Sequence, residues 1–133
     1  MAAPFHKKKI MNKAEYRVFR AVETTISAQR NGCRVLSQTS LGEIIGSSDN
    51  KAFFAVNSKR VDVLVIGPYG DPIAAFEYQG TGHHQGTAAA RDAIKREALR
   101  KAGIQFVEIL ESHSNEEIAQ LVRRALQISR QAA

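Results

Sequence analysis

Apolar positions change their period several times along the chain, and each change marks an element. From Asn12 onward, Tyr16, Phe19, Val22 and Ile26 recur at helical spacing. Asn12 with Glu15 three residues on is a capping-box pattern, and Asn31-Gly32 closes this helix. Cys33 to Gln38 reads as a strand. Ser40-Leu41-Gly42-Glu43 repeats the cap spacing and predicts one helical turn through Ile45. Gly46 to Lys51 is a polar loop, and Ala52 to Val56 is apolar without a clear period. Val61 to Ile66, rich in Val and Ile, is the strongest strand pattern. The turn cluster Gly67-Pro68-Tyr69-Gly70-Asp71-Pro72 leads into a returning strand, Ile73 to Gln79. After the glycine-rich stretch Gly80 to Gly86, Thr87 to Ala102 predicts a helix closed by Gly103. Ile104 to Leu110 predicts a further strand. Ser114 with Glu117 caps a last helix striped by Ile118, Leu121, Val122, Ala125 and Leu126.

The resulting order, α-β-β-β-α-β with an extra C-terminal helix, implies an α/β fold with a mixed sheet flanked by helices. At 133 residues the chain is the size of one domain. Residues 12–130 are expected to form it, after a basic tail over 1–11 that carries His6-Lys7-Lys8-Lys9. One cysteine, Cys33, excludes an internal disulfide and a cysteine-cluster zinc site. No apolar run approaches the roughly 18 residues that span a bilayer, and the first residues lack a secretory pattern. A cytoplasmic protein without membrane contact is expected. The formal net charge of +6 points to a polyanionic partner, DNA or RNA before others.

Asp62 and Glu77 are the misfits in the two best strands. Acidic residues are depleted from strands, and a buried unpaired carboxylate is costly. If the turn cluster closes a hairpin with Ile66 opposite Ile73, Asp62 falls directly across from Glu77. Opposed residues share a face about 5 Å apart. Gln79 and Arg60 would lie on that face as well. Two such carboxylates need a shared proton, a nearby cation or a divalent metal, and hard oxygen ligands suit Mg²⁺ or Mn²⁺. A purely structural reading pairs Asp62 with Arg60 or Lys59 at a strand edge. Lys95 and Asp92 share a helix face with Arg96 beside them; Lys95 can reach the carboxylates, a phosphate, or only its helix neighbours. Glu15 is either the capping-box partner of Asn12 or a third carboxylate at the metal. Of the adjacent His83 and His84, one at most would face the site.

Asp62 followed by Glu77-Tyr78-Gln79, with strands on both sides, resembles the PD-(D/E)XK nuclease superfamily. The run Phe76-Glu77-Tyr78-Gln79-Gly80-Thr81-Gly82-His83-His84, then Arg91-Asp92-Ala93-Ile94-Lys95 and Lys101-Ala102-Gly103-Ile104, is similar to bacterial domains related to very-short-patch repair endonucleases. The resemblance covers about Asn12 to Leu110. It implies a restriction-endonuclease-like core with Asp62 and Glu77 as metal ligands, and Glu15 as the helix-one glutamate. Gln79 stands where the superfamily usually has lysine, and His84, Asp92 and Lys95 match polar positions of this branch. Glutamine is neutral and cannot act as a general base, although it can orient water or offer its carbonyl oxygen.

The expected activity is Mg²⁺- or Mn²⁺-dependent hydrolysis of DNA by Asp62, Glu77, Gln79, His84 and Lys95. Lys59, Arg60, Arg91 and Arg96 would hold the nucleic-acid backbone. Cutting both strands would call for a homodimer. The alternative is a non-catalytic nucleic-acid-binding module on the same fold. Nucleotide binding through Gly80 and Gly82 fits less well, because that loop follows the third strand rather than the first.

Overall fold

The computed structural model describes the backbone of residues 2–80 and 87–132, and side chains over 2–80 and 93–131. The elements are α1 (Lys13–Gln29), β1 (Arg34–Ser40), a 3₁₀ turn (Leu41–Glu43), α2 (Asn50–Val56), β2 (Arg60–Ile66), β3 (Pro72–Gln79), α3 (Thr87–Lys101), β4 (Gln105–Leu110) and α4 (Asn115–Ala132). They form a four-stranded mixed sheet in the order β1-β2-β3-β4. The first two pairings are antiparallel and β3–β4 is parallel, with α3 as the crossover. Among the described residues no helix is long and apolar enough to cross a membrane. Residues 2–10 are exposed and carry no helix or strand.

Of the three cap-spaced patterns, those of Asn12 and Ser114 form capping boxes, while Ser40 makes no side-chain cap at the 3₁₀ turn. The Asn12 side chain accepts from the Glu15 N–H, and the Glu15 carboxylate accepts from the Asn12 N–H, each at 2.8 Å. Ser114 and Glu117 repeat the arrangement at α4. The buried face of α1 keeps Val22 and Ile26 of the expected stripe, with Phe19 packed partly against the core, and departs at Tyr16. Val18, Val22, Thr25 and Ile26 are inside, while Tyr16 is half exposed. Helix α2 was not legible as a helix: Asp49 caps it by accepting from Ala52 N–H, which recruits the polar residues just before the apolar run. Strand β1 runs two residues past its expected end, to Ser40.

Apolar side chains cover both sheet faces. Val63, Val65, Ala74, Phe76 and Ile109 pack under α1 and α4 with Val18, Val22, Ile118 and Val122. On the other face Leu64 and Ala75 meet Leu99 of α3 and Val56 of α2. Gly103, at φ +81°, turns the chain out of α3 into β4, a conformation an L side chain resists.

The β2–β3 hairpin keeps the expected register over Val63↔Phe76, Leu64↔Ala75 and Val65↔Ala74. At the turn it departs. A bulge between Val65 and Ile66 sets Ile66 opposite Pro72 rather than Ile73. The correction stays local, because the bulge lies at the turn end and the acidic residues at the open end.

Candidate functional site

Beyond Val63 and Phe76 the backbone pairing of β2 with β3 stops, and two acidic side chains take its place. The Asp62 N–H donates to the Glu77 carboxylate at 3.3 Å, and the Tyr78 N–H donates to Asp62 Oδ2 at 2.8 Å. Each acid thus satisfies a backbone donor of the opposite strand, which is why Asp and Glu are tolerated here. Lys95, from α3, places its ammonium on Glu77 Oε1 and donates to the Arg60 carbonyl at 2.8 Å. It therefore joins the strand pair. The site sits between the open end of the hairpin and α3.

Burial is deep. Glu77 and Gln79 are each only 5% exposed. Loss of water pushes the Glu77 carboxyl up to about 8, with hydrogen bonding to Asp62 and its charge adding to the rise and Lys95 opposing it. Burial thus favours the neutral, protonated form of Glu77, and the Lys95 ammonium favours the ionised one. The Gln79 Oε1 is buried without a hydrogen-bond partner. The available donors are all hard oxygens: two carboxylates and one amide carbonyl. That set suits a divalent cation that keeps part of its water shell, as Mg²⁺ does. Among the described residues no group of three or more His, Cys, Asp and Glu converges.

The other expected residues separate. Glu15 spends its carboxylate on the Asn12 cap, and α1 packs against the opposite sheet face, so the structure assigns it the structural role. Arg96, expected on nucleic acid, pairs with Glu108 and lies over the Phe106 ring at 5.4 Å, its side chain half exposed. Arg60 is exposed and Lys59 partly so. His83 and His84 lie outside the described residues, as do the side chains of Arg91 and Asp92. Glu108, which sequence reading passed over, is the β4 neighbour of Glu77. Its only sequence signal was an acid inside a strand, the same signal that marked the other two. An apolar hollow of about 560 Å³ between α2 and α3, lined by Ile45, Phe53 and Ile94, does not include the acidic pair.

A family model described as Protein of unknown function (DUF2726) matches residues 7–127. An uncharacterized protein of Haemophilus influenzae is 44% identical over 114 residues, covering 86% of this chain and 60% of its own length. The chain thus spans less than two thirds of that relative. An uncharacterized protein of Sinorhizobium fredii is 41% identical over 110 residues, covering 83% of this chain and 80% of its own. No solved structure matches.

Proposed function

The chain belongs to the family described as Protein of unknown function (DUF2726), and we propose that its Asp62–Glu77 site is a divalent-cation-dependent nuclease centre that hydrolyses phosphodiester bonds of DNA. The observation that carries this reading is a pair of carboxylates at the open end of a hairpin, Glu77 buried and Asp62 partly so, with a lysine ammonium seated on Glu77. A carboxyl raised to about 8 is a group that either keeps a proton or exchanges it for a cation. The element order and mixed sheet agree with a restriction-endonuclease-like core, which is part of the same proposal.

Asp62 and Glu77 would hold Mg²⁺ or Mn²⁺, with the Gln79 carbonyl as a neutral oxygen donor to the ion or its water. When bound, the cation supplies polarisation of the scissile phosphate and a lower pKa for water. The Tyr78 N–H fixes Asp62 in place. Lys95 favours the ionised form of Glu77 and is within reach of charge developing on phosphate oxygens. It stands in from α3 for the positive charge that Gln79 lacks. Lys59 and Arg60, next to Asp62 on the same strand end, would hold the phosphate backbone without reading sequence.

The test is incubation of the purified chain with single-stranded, duplex, mismatched and branched DNA in Mg²⁺, Mn²⁺ or EDTA. Cleavage that requires the metal is expected. Metal-indifferent binding without cleavage would instead identify a non-catalytic nucleic-acid-binding module.

A further inference from the structure

Gln38 is the residue of β1 that the fold does not explain. The pairs on either side of it run Ser37↔Val63 and Thr39↔Val61, so Gln38 is the β1 position opposite Asp62, yet those two are not paired. Its φ is +53°, in the left-handed region, within an otherwise extended strand. The other non-glycine residue with positive φ among those described, Arg30, is a helix C-cap, where that conformation is common. The Gln38 Nε2 is buried and has no hydrogen-bond partner. Strained backbone and an unmatched buried donor thus coincide at one residue, beside the acidic pair. A glycine would relieve the first and remove the second.

We propose that Gln38 is a positioning residue for Asp62, its amide N–H donating to the Asp62 carboxylate when a divalent cation occupies the Asp62–Glu77 pair. The proposal rests on the cation reading given above. The unmatched donor is the side of the interaction the protein supplies in advance; the acceptor is the ligand carboxylate opposite. Carboxylates that bind metal are themselves commonly hydrogen-bonded, and loss of such an outer partner typically weakens metal affinity about 10–100-fold. Gln79, buried with an unmatched carbonyl oxygen, flanks the pair from β3 as Gln38 does from β1. The unmatched atoms differ: the Gln38 Nε2 is a donor for a carboxylate, and the Gln79 Oε1 an acceptor toward the ion or its water.

The experiment is calorimetric titration with Mn²⁺ alongside thermal melts of the full chain, as wild type, Gln38→Gly, Gln38→Ala and Asp62→Asn. Gln38→Gly should keep or raise the Tm, because glycine accepts the left-handed conformation, yet raise the Mn²⁺ Kd about tenfold or more. Gln38→Ala should lose affinity to the same degree while its Tm falls or stays level. An affinity loss shared by two variants whose Tm values diverge cannot come from general destabilisation. If both bind Mn²⁺ like wild type while Asp62→Asn does not, the role of Gln38 is overturned and the cation site stands. If wild type takes up no Mn²⁺, the cation site itself fails and the role of Gln38 with it.

Discussion

The backbone N–H of Asp62 donates to the Glu77 side chain, so the two acids are tied across the open end of the β2–β3 hairpin. Burial of Glu77 and the Asp62 side chain beside it make its ionisation costly, while the Lys95 ammonium opposes that cost.

Stability should therefore depend on pH through Glu77. Between its ordinary value of 4.5 and about 8, the folded protein holds a proton that the unfolded chain has released. Stability from this group is complete below 4.5, falls as pH rises toward about 8, and levels off above. At about 1.4 kcal/mol per unit of displacement, and allowing for relaxation around a coupled pair, the loss should be on the order of 3 kcal/mol. Glu77→Gln fixes the neutral form. Denaturant titrations from pH 5 to 9 should show a smaller decline for this variant than for wild type; parallel curves would mean that Glu77 ionises without penalty.

Cation binding should release protons. Burial raises the Glu77 carboxyl to about 8, so a divalent ion that binds it near neutral pH displaces a proton. Calorimetry of Mn²⁺ binding in two buffers of different ionisation enthalpy should give close to one proton released per ion. Binding with no buffer dependence would show that Glu77 is not a ligand.

Much of this geometry was legible in the sequence because strand alternation is strict. The register taken from Ile66 opposite Ile73 holds over three pairs, Val63↔Phe76 to Val65↔Ala74, although the closing pair itself is Ile66↔Pro72, and alternation carries it on to Asp62 and Glu77. The bulge at Ile66 was not legible, since the turn cluster allows more than one closure and does not itself fix the register. Helix α2 escaped because a seven-residue helix held by one Asp49 cap is too short to show a period. For Lys95 the sequence left three partners open: the carboxylates, a phosphate or its helix neighbours. Its contact with Glu77 depends on how α3 crosses the sheet, which tertiary packing decides. Gln38 gave no signal at all: a positive φ on a non-glycine residue leaves no compositional mark. Glu15 shows the converse, one local pattern with two meanings that only the fold separates.

Lys95 should matter to both ionisation and catalysis. Its charge opposes the rise at Glu77, so Lys95→Met should push that carboxyl further up and shift Mn²⁺ binding to higher pH. Cleavage by this variant should fall about 10²-fold or more if the ammonium stabilises developing charge. Gln79→Lys tests the same need from β3, and should raise cleavage if positive charge is what limits the site. A Lys95→Met enzyme with an unchanged pH profile and rate would leave the lysine a structural partner only.

Nucleic-acid binding should be salt-sensitive and largely independent of sequence. The +6 charge, the exposed Lys7-Lys8-Lys9 segment and Arg60 would supply contacts to phosphate, which carry no sequence information. Affinity should fall steeply between roughly 50 and 200 mM salt. Lys59→Ala with Arg60→Ala should weaken binding for every sequence alike, as followed by fluorescence anisotropy. No binding to any DNA or RNA at low salt would remove this expectation. Arg96→Ala should leave affinity nearly unchanged, because its guanidinium is already committed to Glu108 and Phe106.

The most direct measurement compares DNA cleavage and DNA binding by wild type, Asp62→Asn and Glu77→Gln in Mg²⁺ and Mn²⁺. Both substitutions keep size and remove a negative oxygen ligand. Wild type should cleave only with metal, and both variants should lose cleavage while retaining DNA binding. Metal-dependent cleavage that persists undiminished in both variants, or wild-type protein that binds DNA yet cuts none of the substrates with either ion, would contradict a nuclease centre at Asp62 and Glu77.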